Sequence, residues 1–346
     1  MAYTTINKST DYFNPVAYAG NGASDRAVTS GFATDFVWIK NRNTTDDHVI
    51  FDKVRGGTKY IYTNATQAES TYSGLDLTFE NTGVDVGSYT TINNNGSNLI
   101  SYHWKANGQG SSNTAGSINT TYTSANTTSG VSIVKWTSTD TAGSTIGHGL
   151  GAVPKMIITK KLTAGNPNYW TTYHNSLGNT KSIFLNDVGG ESGASTSYWN
   201  DTSPTSSVFS TGTYLDAGDY IAYCFAEKQG FSKFGSYTGN GNADGTFVYT
   251  GFKPAFVMIK QTTNTDSASN WFIMDNKRNE FNVVDKLLYA SNSNAEGTSG
   301  YIDINSNGFK LRKTSTGVNA SGSTYIYMAF AKAPLVGTNN IPCTAR

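Results

Sequence analysis

Three segments of the chain are apolar at consecutive positions instead of alternating with polar residues. A strand with one wet face alternates, whereas a strand that is apolar throughout is covered on both faces. We therefore predict that one face of each segment packs in its own domain and that the other packs on a neighbouring domain or subunit. The segments are Phe36-Val37-Trp38-Ile39, Met156-Ile157-Ile158 and Phe256-Val257-Met258-Ile259.

Each apolar segment belongs to one copy of a repeat that is about 100 residues long. Four landmarks return in the same order: a Tyr-x-Gly-Asn-Gly opening, decayed in the second copy, the apolar strand closed by lysine, a further strand, and a final apolar strand. Because each copy is long enough to bury a core of its own, we interpret the copies as tandem domains. The closing lysines are Lys40, Lys160 and Lys260, and the final strands are 99–104, 220–225 and 325–330.

The repeat also sets the predicted domain boundaries. The Gly-, Ser- and Thr-rich linker between the first two copies contains one possible short strand, at 117–122. Copies two and three adjoin with almost no linker, so we expect a fixed arrangement of these two domains. The predicted units are an N-terminal arm (1–11), repeat 1 (12–106), the linker (107–129), repeat 2 (130–229), repeat 3 (230–334) and a C-terminal tail (335–346).

The composition indicates an all-β fold. Charged residues make up only 14% of the chain, and its polarity comes mainly from Ser, Thr, Asn and Gly. Threonine and aromatic residues fit pleated surfaces, while Asn and Gly supply turns. Short β-branched and aromatic runs lie between Gly/Asn/Ser clusters in every copy, which is typical of antiparallel sandwiches. We predict three tandem antiparallel β-sandwich domains of the jelly-roll or concanavalin-like type.

Charge and hydropathy argue against several partners. The net charge is +1, so the chain has no broad basic field for nucleic acid. No segment approaches the roughly 20 apolar residues of a membrane span. Residues 1–11 lack the apolar stretch of a signal peptide, so we expect neither export by the general route nor a membrane anchor. Two cysteines, Cys224 and Cys343, make a disulfide framework unexpected.

No pattern in the sequence predicts a metal, a cofactor or a catalytic centre. The four histidines lack partners at metal-ligand spacing, so we assign them structural roles. A hydrolase would need a pair of carboxylates, but only Asp52 and Asp275 occupy corresponding positions, and they lie in different domains. We therefore expect no enzyme. The residues considered are His48, His103, His148 and His174, and Asp52, Asp201, Asp219, Glu227 and Asp275.

The candidate ligand-binding residues are Tyr198, Trp199 and Asp201. They lie in a polar, turn-rich segment that ends at Pro204, and the other copies have no tryptophan there. Loops carry binding function more often than core strands do, and flat aromatic rings stack on sugar rings. A local packing role for Trp199 is an equally open alternative. For Trp170 and Trp271, which recur at one repeat position, we expect core packing.

Several longer motifs resemble a repeated domain found in structural proteins of marine and cyanobacterial tailed phages. They cover nearly the entire chain. The segments are Tyr12-Phe13 with 18–22, Phe36-Val37-Trp38-Ile39-Lys40-Asn41-Arg42, Phe51-Asp52-Lys53-Val54-Arg55-Gly56, 146–154, 173–181, Tyr198-Trp199-Asn200 and 234–241.

The resemblance implies a sandwich similar to concanavalin-like or SPRY-like domains, and it brings no catalytic residues with it. It implies a virion protein, assembled in the host cytoplasm, of the tail-fibre or receptor-binding kind. Expected partners are a host-surface glycan or protein, other tail or capsid proteins, and copies of the chain itself, with a trimer implied. A purely architectural tail-tip, baseplate, adaptor or capsid-decoration protein is the alternative, and a glycan depolymerase comes third.

Overall fold

The computed structural model describes residues 3–71, 77–165, 168–263 and 269–342. Within these ranges the chain is nearly all β, with several antiparallel sheets, as the composition predicts. The helices there are single turns: α1 (Thr90–Asn93), α2 (Thr196–Trp199) and α3 (Thr316–Asn319). No helix in the described part of the chain is long and apolar enough to span a bilayer. Cys343 lies outside the described residues.

The first copy forms a six-stranded sheet and a separate three-stranded sheet. Its strands are β1 (Phe13–Ala19), β2 (Arg26–Thr29), β3 (Phe36–Asn41), β4 (Val49–Asp52), β5 (Lys59–Tyr62), β6 (Ser70–Thr71), β7 (Thr78–Glu80), β8 (Gly83–Val86) and β9 (Asn98–Trp104). The large sheet has the order β1-β9-β3-β4-β5-β6, and the small one β2-β8-β7. The first and last strands of the copy are therefore neighbours, with the apolar strand β3 beside them.

The second copy repeats this arrangement. Its strands are β10 (Tyr122–Asn126), β11 (Val131–Ser138), β12 (Ser144–Gly147), β13 (Pro154–Lys161), β14 (Thr171–His174), β15 (Ile183–Phe184), β16 (Val208–Thr211) and β17 (Gly218–Ala226). The large sheet has the order β10-β11-β17-β13-β14-β15, and β12 pairs with β16. The predicted linker strand at 117–122 is misplaced, since β10 begins where that segment ends and pairs with β11. The polar linker is thus partly an extra edge strand.

In the third copy the two layers are continuous within one eight-stranded sheet. Its strands are β18 (Ser232–Thr238), β19 (Phe247–Tyr249), β20 (Phe252–Gln261), β21 (Trp271–Asp275), β22 (Val284–Tyr289), β23 (Gly297–Asn305), β24 (Gly308–Leu311) and β25 (Thr324–Pro334). The order is β18-β25-β20-β21-β22-β23-β24-β19. Strand β20 thus lies between β25 and β21, just as β3 lies between β9 and β4 and β13 between β17 and β14.

The two faces of each central strand enter two different cores. Phe36 and Trp38 of β3 lie in a core shared by all three copies, whereas Val37 and Ile39 lie in a core of the first copy alone. Strands β13 and β20 divide their side chains in the same way. This confirms that both faces are covered. One face packs within the strand's own copy, and the other packs against the other copies of the same chain. The apolar faces alone therefore do not require a second subunit.

The shared core is built from aromatic rings that the three copies contribute. Phe36 stacks on Tyr223 at a centroid distance of 4.4 Å, Phe13 stacks on Phe330 at 4.8 Å, and Tyr102 meets Phe256 edge-on at 5.0 Å. Each of these contacts joins two copies. Aromatic pairs contribute roughly 0.5–1.5 kcal/mol beyond their buried area, so the copies stabilise one another directly.

Each copy also has a smaller core of its own. In the first copy, Val28 and Val84 of the small sheet pack against Val37 and Phe51 of the large sheet. The second and third copies have corresponding clusters around Ile157 and around Val257. Each copy thus has an outer cluster of its own, and the sequence did not reveal the larger shared core.

Three equivalent backbone hydrogen bonds link the copies in a closed cycle. The amide of Glu69 donates to the Leu162 carbonyl (3.0 Å), that of Glu191 to Thr262 (2.8 Å), and that of Glu296 to Arg42 (2.9 Å). The copies are therefore joined one to two, two to three and three to one. This is the contact pattern of a threefold assembly, made within one chain.

We predict that Phe330→Ala destabilises the whole body by about 3–5 kcal/mol, because it opens a cavity in the shared core. Phe330 is 1% exposed, whereas Phe281 is 81% exposed, so Phe281→Ala is a matched control that should leave the melting temperature unchanged. Calorimetry should record one unfolding transition in both variants, and it should move only in Phe330→Ala. Three separate transitions would contradict a core that holds the copies together.

Candidate functional site

The segment predicted to bind a ligand folds as a capped helical turn. The Ser195 side chain accepts a hydrogen bond from the Ser197 amide at the start of α2, and Asn200 ends the turn in a left-handed conformation. Asp201 is exposed and is also left-handed, with φ of 47°. This backbone conformation suits the two residues, since Asn and Asp tolerate positive φ better than other non-glycine residues.

Trp199 lies in the outer core of the second copy. It is 1% exposed, its indole Nε1 donates to the Lys181 carbonyl (3.0 Å), and its ring meets Tyr173 edge-on at 5.7 Å. Of the two roles left open for Trp199, packing therefore fits the structure, and its place among the ligand-binding candidates is corrected, because the side chain is buried. The placement of Tyr198 and Asp201 in a surface binding loop stays a prediction.

Tyr198 instead belongs to a group of four rings at the surface, here called the aromatic patch: Tyr169, Phe184, Tyr198 and Tyr214. Phe184 lies 5.0 Å from Tyr169 and 5.7 Å from Tyr214, and Tyr198 lies 5.0 Å from Tyr214, all between centroids. Tyr169 is 40% exposed and the other three rings are half-buried. The patch can offer ring faces and hydroxyl groups to a ligand.

The surroundings of Tyr214 in the patch keep its hydroxyl group neutral. Burial, together with the neighbouring Tyr198 and Tyr169, raises the pKa of Tyr214 to about 12. At neutral pH the group therefore donates and accepts hydrogen bonds without carrying charge. Half-buried aromatic rings that carry hydroxyl groups suit the mixed polar and apolar faces of a sugar.

Asp52 and Asp275, the carboxylates at corresponding positions, are buried structural groups. Asp52 pairs with Arg55 at 2.6 Å and accepts a hydrogen bond from the Tyr223 hydroxyl (2.7 Å) of the second copy. Asp275 pairs with Arg278 and accepts from Tyr102 (2.8 Å) of the first copy. A carboxylate held by arginine and tyrosine in a closed core has no access to substrate.

Where the second copy meets the third, this triad is replaced as a unit. Register places Met328 at the tyrosine position, His174 at the aspartate position and Leu177 at the arginine position. His174 Nε2 contacts the Tyr327 carbonyl at 3.3 Å, so this position still bridges two copies. The joint loss is expected physically, because a buried arginine without its carboxylate would be an unpaired charge.

The other candidate carboxylates do not converge. Asp219 accepts from Thr137 (2.6 Å), and Glu227 pairs with Lys233 at 2.8 Å. No cluster of three or more potential metal ligands occurs in the described ranges. The largely apolar void inside the shared core measures only about 10 Å³. A space of that size is at the lower limit for a single water molecule, so it reflects packing rather than a ligand site.

The four histidines are buried and their pKa values are lowered. Burial brings the pKa of His174 to about 4 and that of His103 to about 3, and it also lowers the pKa of His148. The pKa of His48 is well below its ordinary value because of burial and the charge of Lys40. All four side chains are therefore neutral at pH 7.

Sequence reasoning missed the glutamates that join the copies. Glu69 also pairs with Arg55 and Lys59, and Glu296 pairs with Arg42 and Arg278. A weak signal existed, since Ala-Glu-Ser, Gly-Glu-Ser and Ala-Glu-Gly recur after the third landmark of each copy. It was overlooked because the intervening loops differ in sequence.

We predict that the free energy of unfolding falls as the pH drops from 7 to 5. The unfolded histidines, with ordinary pKa values near 6.5, bind protons that the folded ones exclude, at up to about 1.4 kcal/mol per pH unit for each residue. Asp35, whose pKa is raised by burial, opposes this only near the acid end. Urea titrations at both pH values measure the effect, and equal or greater stability at pH 5 would contradict it.

We predict that Trp199→Ala lowers stability by about 3–5 kcal/mol, because it empties a fully packed site. The control is Asp201→Asn, which removes the exposed charge but keeps a residue that accepts the left-handed backbone. It should change stability by no more than about 0.5 kcal/mol. Thermal melting of both variants decides between packing and surface roles, and an unchanged melting curve for Trp199→Ala would rule out packing.

A comparison with the curated proteins gave no match to this chain. A family model described as a domain of unknown function (DUF7483) matches residues 8–334. The matched range includes all three copies and the connections between them. The chain therefore belongs to the DUF7483 family.

Proposed function

We propose that the chain is a non-enzymatic structural protein of a tailed-phage virion, of the tail-fibre or adhesin kind, and that it contributes to binding a host-surface glycan or protein. The motif resemblance suggests the virion setting. The observation that carries the binding role is the aromatic patch, where four rings are gathered at the surface of one copy. In this proposal each copy counts as one β-sandwich domain, and the three are held rigidly together.

A rigid body is a suitable carrier for such a patch. The half-buried rings are fixed by their neighbours, so little side-chain freedom is lost when a ligand binds. One stacking contact adds only roughly 0.5–1.5 kcal/mol beyond burial. Attachment would then depend on many weak contacts acting together, since multivalency can raise avidity by ~10²–10⁴ without new contacts.

The alternative is an architectural virion protein, and a separate observation favours it. Phe247 and Tyr249 of the edge strand β19 are 44% and 53% exposed. An exposed apolar edge strand is a surface on which another protein can pair.

The proposal also includes a homotrimer, which comes from the resemblance. Light scattering tests it by measuring the mass in solution, which is three times the 37.1 kDa of one chain if the trimer forms.

We predict that antibodies against the purified chain label the tails of the virions that encode it. Virions carrying Tyr169→Ala together with Tyr198→Ala should adsorb to host cells at least several-fold more slowly, because two stacking surfaces are lost. Val153→Ala is the control, since it trims an apolar side chain that is 40% exposed and lies outside both the patch and β19. Label on the head alone, or equal adsorption by all variants, would contradict the adhesin role.

A further inference from the structure

The third copy contains a polar cleft beside an exposed aromatic ring. It lies between the loop that follows β21 and the adjoining ends of β20 and β25, and its volume is about 200 Å³. The size suits part of one sugar residue rather than a large cofactor. Residues lining the cleft include Lys253, Asn276, Glu280, Phe281, Asn282 and Lys332.

Phe281 is presented by a well-anchored loop. The Asn279 side chain accepts hydrogen bonds from the amides of Asp285 and Lys286 (3.1 and 2.8 Å). The Asn282 side chain donates to the Ile304 carbonyl and accepts from the Ile304 amide (3.0 and 2.9 Å). Two asparagines therefore fix the loop on either side of a ring that is 81% exposed. The loop therefore holds this aromatic ring in a fixed place at the surface, beside the cleft.

The charges around the ring are not used by the fold. Lys253 and Lys332 lie at a register shift between β20 and β25, and neither forms an ion pair with any described residue. Glu280, on the rim, likewise has no cationic partner in those ranges. Asn276 lines the cleft, and its buried Oδ1 receives no hydrogen bond from the described part of the chain. The cleft thus holds two unpaired cations together with unused acceptors.

The repeat separates these residues from those that the fold requires. Register places Val153 and Ala33 at the position of Lys253, and Glu227 and Ala106 at that of Lys332. Glu227 is paired with Lys233 of the third copy. The lysine pair is therefore confined to the third copy, so it is not needed to form the sheet.

We propose that this cleft binds an acidic sugar residue of a host-surface glycan. The ring of Phe281 stacks on the apolar face of the pyranose, and the two lysines hold its carboxylate or sulfate group. Glu280, on the rim, accepts a hydrogen bond from a sugar hydroxyl. An aromatic ring beside two cationic side chains suits a saccharide that has an apolar face and an anionic group. The proposal rests on the host-binding function above and names a ligand class and a second site for it.

The direct test is calorimetric titration of the full chain with three oligosaccharides: a hexuronate oligomer, its methyl ester and a sulfated neutral oligomer. The hexuronate should bind at least tenfold more tightly than the ester, and the advantage should shrink as salt is added. Binding of the sulfated oligomer alone would assign the anion as sulfate rather than carboxylate. Equal binding of the acid and its ester, or no binding by any of the three, would overturn the proposal.

Variants locate the binding in the cleft. The double variant Lys253→Gln/Lys332→Gln should weaken binding of the acid about tenfold, and Phe281→Ala about two- to tenfold. Lys277→Gln is the matched control, because Lys277 is an exposed lysine in the same loop that does not line the cleft. An equal loss in Lys277→Gln would mean unspecific attraction, and unchanged binding in the other two variants would place the site elsewhere.

The outcome is independent of the virion test. A chain that binds the acid through Lys253 and Lys332 but is missing from virions would refute the proposed function and leave the cleft assignment standing. A chain found on tails with no affinity for acidic oligosaccharides would do the reverse.

Discussion

The structure depends on aromatic packing between the three copies. Phe36 of the first copy stacks on Tyr223 of the second, and Phe13 of the first stacks on Phe330 of the third. Because these rings lie on strands that also form the outer cores, removing one copy would expose an apolar face on both of the others. Each copy thus shields the apolar faces of its neighbours from solvent. The family model likewise covers the three copies together, at residues 8–334.

Polar contacts between the copies add specificity to that packing. Tyr102 and Tyr223 each deliver a hydroxyl to a carboxylate that is already paired with arginine. Burial alone would disfavour ionised Asp275, but the Arg278 guanidinium and the hydrogen bonds to it lower its pKa below the ordinary value. Where methionine replaces tyrosine, aspartate and arginine are gone as well. The bridge between copies is therefore conserved in position but not in chemistry.

The sequence predicted the all-β class and the burial of both faces of Phe36–Ile39, because residue pattern alone decides these. It left open whether the second face meets another domain or another subunit, since the pattern is the same for any apolar neighbour. The role of Trp199 stayed undecided for a related reason: its neighbours in sequence are polar, but its contacts, Tyr173 and the Lys181 carbonyl, are distant in the chain. Phe281 escaped notice because exposure of a single ring leaves no periodic trace.

One chain that closes a threefold cycle on itself differs from three identical subunits in what evolution can change. In a symmetric trimer every substitution appears three times, so a lysine pair added to one subunit is added to all three. Any repulsion between the paired lysines, and any loss of stability that it causes, then also occurs three times. Here Lys253 and Lys332 occur once. The other two copies have Val153 and Ala33 at the position of Lys253, and Glu227 and Ala106 at that of Lys332. The scaffold can therefore keep its symmetric interior while its outer faces acquire different chemistries one at a time.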